Sequence, residues 1–223
     1  MPFEATPDAI ARAKNIKILL FDVDGVLTDG SIWVFPKPAG TEETVHSEGI
    51  AALQGKGGFG IHSTTFVEAK GFSAHDGLGI SLARIAGLTC GMITKRVSDS
   101  VALRARDLRL EYLYMGQAHK MNAVREIMEK TGATLDQICF VGDDVVDLPV
   151  LRVCGLAIGV ANARQIVKDT VHWITPHSGG QGAGRDAIEF ILEAQGTLAH
   201  AIEEYCDEKS AIAAASDIGN GSN

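Results

Sequence analysis

Two clusters of carboxylates, each set directly behind an apolar run, are the residues of this chain best equipped for chemistry. The first is FDVDGVLTDG, residues 21–30, in which Asp22 and Asp24 follow the run IKILLF. The second is GDDVVD, residues 142–147, which sets Asp143, Asp144 and Asp147 behind the run ICFV. A single DxD is a weak signal, because Asp is also a routine turn residue. Two strands that both end in acids are a stronger one. Ligands of open α/β sheets gather at the carboxyl ends of the strands, and like charges brought together there need a cation. Hard oxygen ligands with no His or Cys beside them select Mg2+. Between the clusters lie Thr94, which ends the run GMIT, and Lys120, which opens HKMNAV. Taken singly, Thr94 reads as a strand-end hydroxyl and Lys120 as a solvated helix charge.

Such residues need a scaffold that presents strand ends side by side. The uninterrupted apolar run over residues 16–21 fits a central parallel strand buried on both faces. Thr6 followed by Pro7 marks the start of a short helix reaching about residue 14. Beyond residue 76 the pattern alternates, with helices over 77–85, 98–108, 119–130, 148–153 and 163–169. Strands are predicted between them, over 88–93, 112–114, 138–141 and 156–158. That alternation specifies a doubly wound, mostly parallel, Rossmann-like α/β sheet with right-handed crossovers. Residues 31–73, rich in Gly, Thr, Val and Phe and containing Pro36 and Pro38, read as a projecting β-hairpin, too short and too β-like for a large cap domain. Residues 44–70 look like an extension of it, with Trp33, Phe35, Phe59 and Phe66 offering apolar area to a partner. Residues 1–209 read as one domain, and the small, polar stretch 210–223 as a fraying tail.

Composition narrows the function. The chain has 223 residues, with 20 Lys and Arg against 28 Asp and Glu, a net charge of −8. An acidic surface without a basic patch disfavours nucleic acid and anionic lipid as partners. The four cysteines (Cys90, Cys139, Cys154, Cys206) have no CxxC spacing and read as small hydrophobes rather than metal or redox ligands. The first residues carry charges where a signal peptide needs an apolar core, and no run is long enough to span a membrane, so a cytoplasmic location is expected. GKGGFG at 55–60 matches a dinucleotide-binding spacing, but it lacks the preceding strand and following helix and reads as a hairpin turn.

The ordered set FDVDGVLTDG, MIT, Lys120 and GDDVVD resembles the haloacid dehalogenase superfamily of phosphohydrolases. With DGLGI (76–80), ITKRVSDSVALRA (93–105) and GGQGAGRD (179–186), the chain is similar to the 3-deoxy-D-manno-octulosonate 8-phosphate phosphatase family from about residue 16 to 192. The resemblance implies that Asp22 attacks phosphorus to form an aspartyl-phosphate, while Asp24 acts as general acid and then general base. It implies Mg2+ held by the Asp22 carboxylate, the Asp24 backbone carbonyl and the Asp143 carboxylate. Thr94 and Lys120 would contact the nonbridging phosphoryl oxygens, and Asp144 and Asp147 would orient a metal-bound water or Lys120. Asp76, Gly77, Arg96 and Arg104 become candidate substrate contacts, the two arginines being equally readable as solvated helix charges. The family also implies a homotetramer, in which the hairpin and the GGQGAGRD segment reach a neighbour's site.

The chain departs from the family's usual residues at several positions. Lys95 follows the motif threonine where Gly is usual, and Met115, Gly116 and His119 precede Lys120. Ser81 and His75 stand where Arg is common. These changes bear on recognition of an acid sugar's carboxylate, not on phosphoryl transfer. A small sugar phosphate is therefore the expected substrate, 3-deoxy-D-manno-octulosonate 8-phosphate first and another phosphorylated acid sugar second. A non-catalytic oligomeric scaffold is the reading from a different class; loss of Asp22 or Asp24 would favour it, and both are present.

Overall fold

A computed structural model of the chain describes residues 4–38, 40, 60 and 65–212. Helix α1 (Pro7–Ala13) starts where Thr6 caps it, its hydroxyl accepting from the Ala9 N–H at 3.2 Å with Pro7 at the first helical position. Strand β1 (Ile18–Phe21) follows, and all four of its residues are buried. Strands β2 (Trp33–Pro36) and β3 (Phe66–Ala69) then pair antiparallel, Trp33 opposite Ala69 and Pro36 opposite Phe66. Next come α2 (Ala74–Ile85), β4 (Thr89–Ile93), α3 (Asp99–Asp107) and β5 (Tyr112–Tyr114), then α4 (Lys120–Thr131) and β6 (Ile138–Gly142). The chain closes with α5 (Leu148–Leu151), β7 (Leu156–Gly159), α6 (Gln165–Lys168), β8 (Trp173–Ile174), α7 (Ala183–Gln195) and α8 (Leu198–Cys206).

Six strands form one parallel sheet in the order β5-β4-β1-β6-β7-β8. Helices α1, α2, α7 and α8 pack on one another, as do α4 and α5. Strands β1, β6 and β7 are buried along their whole length, as central strands covered on both faces must be. Helix α2 lies tightly on α7 because Gly79 has no side chain: a Cβ there would come within 2.9 Å of Arg185 Cδ. Trp173 stacks on Phe190 with ring centroids 4.3 Å apart, joining the edge strand to α7.

The sheet, its order of elements and the hairpin follow the sequence reading. Helix α2 begins three residues earlier than predicted, since Ser73 caps it by accepting from the His75 N–H at 3.2 Å. Strand β8 and helix α8 were not anticipated. In the hairpin, Trp33, Phe35 and Phe66 are exposed. Phe59, GKGGFG and most of the supposed 44–70 extension lie outside the described residues, as does most of the tail. Of that stretch, residues 65–70 are described: they form β3, the second strand of the hairpin, and its exit, which carries Lys70 to the site. Cys90, Cys139 and Cys154 are buried thiols and Cys206 is exposed. Among the described residues, no helix is long and apolar enough to cross a membrane.

Candidate active site

The parallel register builds the site. Phe21 at the end of β1 lies level with Met92 of β4 and Val141 of β6. The Asp22 N–H extends the ladder one step, donating to the Val141 carbonyl at 3.0 Å. Asp22, Thr94 and Asp143 thus leave the ends of three adjacent strands. The chain runs outward from β1 through β4 to β5 and returns beside β1 as β6, so the acids flank the switch point where such sheets bind ligands.

Two loops close over these strand ends because glycines let them approach. Gly25 has φ +90°, and a Cβ on it would fall 2.2 Å from Asp143 Oδ2. Its carbonyl accepts from Asn162 Nδ2 at 3.0 Å, and Asn162 Oδ1 accepts from the Gly179 N–H at 2.6 Å. The GGQGAGRD segment therefore begins against the chain's own β1 loop, with no room for a side chain at Gly179.

Lys120 is not a solvated helix charge. Its side chain is buried, with Nζ 2.6 Å from Asp22 Oδ1 and 2.6 Å from Asp147 Oδ1. Burial works against its charge, but the two carboxylates outweigh it and hold Lys120 above the usual lysine range. The other oxygen of Asp147 accepts from the backbone N–H groups of Asp143 (3.0 Å) and Asp144 (3.4 Å). Asp147 is thereby fixed as the brace of Lys120 and of the loop. Asp144 accepts the Val145 N–H on its carboxylate at 2.7 Å, and the carboxylates paired with Lys120 are those of Asp22 and Asp147.

Carboxylate oxygens of Asp22, Asp143 and Asp147 lie within 4.8 Å of one another. Burial, with Asp147 and Asp143 adding repulsion, pushes Asp22 up to about 8 despite Lys120. Burial and the neighbouring acids likewise push Asp143 up to about 7. One lysine does not neutralise this cluster, and an all-oxygen set with a deficit of positive charge fits a hard divalent cation. Since Asp147 is occupied by Lys120 and two amides, Asp22 and Asp143 are the carboxylates left to bind one.

Asp24 has its own pair of cations beside that cluster. Its Oδ1 is ion-paired to Lys70, which arrives from the end of β3, and its Oδ2 lies 3.3 Å from Arg96 Nε. Thr94, 1% exposed, accepts the Arg96 N–H on its hydroxyl at 3.1 Å. Arg104 is half-buried, donating to the Ser73 carbonyl at 3.3 Å and lying over the Phe72 ring. Asp76 is buried against α7, where its Oδ1 accepts the Arg185 N–H at 2.9 Å, and burial chiefly pushes it up to about 6. Gly77 is buried in the first turns of α2. Among the described residues, no hydrogen bond or ion pair links Asp76 to the acidic cluster. Ser81 is fully buried, so it offers no replacement for a substrate contact, whereas His75 is exposed. His177 lies against Asp186 at 3.0 Å, a pairing the sequence did not suggest.

Sequence reasoning missed Lys70, Glu68 and Asn162. Each reaches the site through long-range packing, and none stands in a motif of its own.

A family model described as haloacid dehalogenase-like hydrolase matches residues 96–184. The chain is 33% identical over 191 residues to the 3-deoxy-D-manno-octulosonate 8-phosphate phosphatase KdsC of Escherichia coli strain K12, covering 86% of this chain and 87% of that protein. Among solved structures, the corresponding phosphatase of Yersinia pestis superposes with TM-score 0.71 at 30% identity, covering 86% of this chain and 89% of that one. That of Moraxella catarrhalis, solved with magnesium, phosphate and a KDO molecule, gives TM-score 0.72 at 30% identity, covering 89% of this chain and 98% of that one. With the acids at the strand ends and this likeness along most of its length, the chain belongs to the haloacid dehalogenase-like phosphatases, in the family of the 3-deoxy-D-manno-octulosonate 8-phosphate phosphatases.

Proposed function

We propose that this phosphatase hydrolyses a small acid-sugar phosphate, 3-deoxy-D-manno-octulosonate 8-phosphate first among them, through an aspartyl-phosphate on Asp22 and with Mg2+ as cofactor. The observation that carries the reading is the placing of Asp22 against Lys120 at 2.6 Å and beside Asp143, with Asp24 two residues on at the open edge of the site. The substrate for which the relatives are named, and the magnesium, phosphate and KDO of the Moraxella catarrhalis complex, support it.

In the first step the Asp22 carboxylate forms a bond to phosphorus as the bond to the sugar oxygen breaks. Asp24 gives its proton to the departing alkoxide. In the second step Asp24 takes a proton from water as that water attacks phosphorus, freeing inorganic phosphate and restoring Asp22. Lys120 orients Asp22 and, with the Thr94 hydroxyl, stabilises charge on the nonbridging oxygens. Asp22, Asp143 and the Asp24 carbonyl would hold Mg2+, which when bound offsets the negative charge shared by the phosphate and the acids. Arg96 stands beside Asp24, where it can meet an anionic group of the substrate.

The test is phosphate release from a panel of sugar phosphates, with Mg2+ and after chelation. Fastest release from 3-deoxy-D-manno-octulosonate 8-phosphate, abolished by chelation, is the expected result. Preference for another acid-sugar phosphate would move the substrate, as the buried Ser81 and exposed His75 would permit. Undiminished release after chelation would remove Mg2+ from the reading.

The raised carboxyl groups give a stability test with a definite sign. Asp22, Asp143 and Asp76 hold protons more tightly when folded (about 8, 7 and 6) than at their ordinary value of 3.8. Their contribution is fully present below the unfolded value and is lost as pH rises through the folded ones. The melting temperature of metal-free protein should therefore fall between about pH 5 and about pH 8, and added Mg2+ should raise it more at the upper end. A melting temperature that climbs over this window, or a pH-independent Mg2+ shift, would contradict the charge balance described above.

The assembly proposed is a homotetramer, as the family resemblance implies; the exposed Trp33, Phe35 and Val67, which share one side of the hairpin, leave an apolar face to be covered. Light scattering should give the tetramer mass; a monomer at working concentration would refute it.

A further inference from the structure

Four charged side chains on three separate segments meet beside the acidic cluster in an arrangement that phosphoryl transfer does not itself require. Asp24 takes Lys70 on one oxygen and Arg96 on the other. On the far side of both cations stands Glu68, with Oε1 3.7 Å from Lys70 Nζ and Oε2 3.8 Å from Arg96 Nη1. The side chains of Lys70 and Glu68 are 0% and 8% exposed. Both oxygens of Glu68 are buried without a hydrogen-bond donor among the described residues. A buried carboxylate that makes no hydrogen bond is costly unless its charge is needed. Here it faces two cations that would otherwise repel each other across a single aspartate.

Residues 68 and 70 alternate along an extended segment, so the chain presents both to the same side. The hairpin thereby delivers a cation to Asp24 together with that cation's own counter-charge. We infer that Lys70 is a positioning residue for Asp24, and that Glu68 braces Lys70 and Arg96 so that the Asp24 carboxylate is held toward the leaving-group oxygen. Lys70 acts on the substrate only through Asp24. It acts by fixing the rotamer of the acid–base group, and a small misplacement of such a group is enough to slow turnover greatly. The inference rests on the proposed acid–base role of Asp24.

The experiment compares Lys70→Met, Lys70→Arg and Glu68→Gln with the parent and with Asp24→Asn, using a sugar phosphate and an aryl phosphate. A sugar alkoxide needs protonation on leaving, whereas a nitrophenolate does not. Lys70→Met should lose about 10²-fold in kcat on the sugar phosphate with KM little changed. It should still give a burst of nitrophenolate equal to one per site. Lys70→Arg should recover most of the loss, because the cation is kept. Glu68→Gln, which keeps shape and loses charge, should show a smaller loss of the same kind. A melting temperature near that of the parent separates these effects from misfolding, and if Lys70→Met does not fold, Glu68→Gln carries the test. Loss confined to KM, equal loss of turnover and burst, or no rescue by Arg would overturn the inference. If Asp24→Asn retained sugar-phosphate turnover, the acid–base reading itself would fall. If Asp24→Asn were inactive while Lys70→Met and Glu68→Gln matched the parent, only the positioning role would fall.

Discussion

Asp22→Asn should leave a folded chain whose phosphatase activity is lower by ~10³ or more, because the amide oxygen is too weak a nucleophile to displace a sugar alkoxide. The fold should tolerate the change. Asp22 is held in a cluster that raises it to about 8 through burial and neighbouring acids, so removing its charge relieves repulsion. Lys120 keeps Asp147 at 2.6 Å in the variant's favour. Metal-free Asp22→Asn should therefore melt at or above the parent's temperature near neutral pH, as expected where an active site holds charge at the expense of stability. Phosphate release measured beside a thermal melt checks both halves. Activity within about tenfold of the parent would remove Asp22 from its role.

Lys120→Met should fail in a different way. The lysine is fully buried between two carboxylates, and taking it away leaves Asp22 and Asp147 without their counter-charge. Breaking a buried ion pair from one side costs about 3–5 kcal/mol, so the unfolding free energy should drop by that order near neutral pH. The loss should shrink as pH falls and the carboxylates take up protons. Turnover of the folded fraction should fall by roughly 10² or more, since a donor to the phosphoryl oxygens is lost. Denaturant unfolding at two pH values, with kinetics on the folded protein, separates the two effects. A variant as stable as the parent would show that Lys120 does not hold the cluster together.

Much of this site was legible because its residues stand beside the signals that place them. IKILLF and ICFV are uninterrupted apolar runs, as strands covered on both faces must be, and the acids follow them directly. Once two strand ends carry acids, a parallel sheet brings them together at its carboxyl edge. Lys120 lies at the first turn of a helix with an apolar face, and only tertiary packing tells a buried lysine there from a solvated one. Lys70 was hidden for another reason. It lies 46 residues from Asp24, and the pairing of β2 with β3 carries it to that carboxylate. No local pattern marks such a contact. Asn162 is the same case, joining Gly25 across 137 residues. Asp76, a candidate contact from its place in the DGLGI motif, has one carboxylate oxygen on the N-terminal turn of α7, a packing partner that the motif alone does not reveal. The glycine of that motif, Gly79, exists for the approach of α2 to α7. Helix α8 has a regular apolar stripe in TLAHAIEEYC that was readable but unread, whereas β8, two residues long, gives no periodic signal.

The covalent step on Asp22 is tested most directly by trapping it. Protein is mixed with Mg2+ and the sugar phosphate, quenched in acid during turnover, digested and examined by mass spectrometry. A phosphate adduct on the peptide carrying Asp22, absent from Asp22→Asn, is the expected result. With an aryl phosphate, which needs no acid to leave, the adduct should accumulate further in Asp24→Asn, where the water is no longer activated. An adduct on a different residue, or steady turnover with no adduct on that peptide in either protein, would contradict a mechanism built on Asp22.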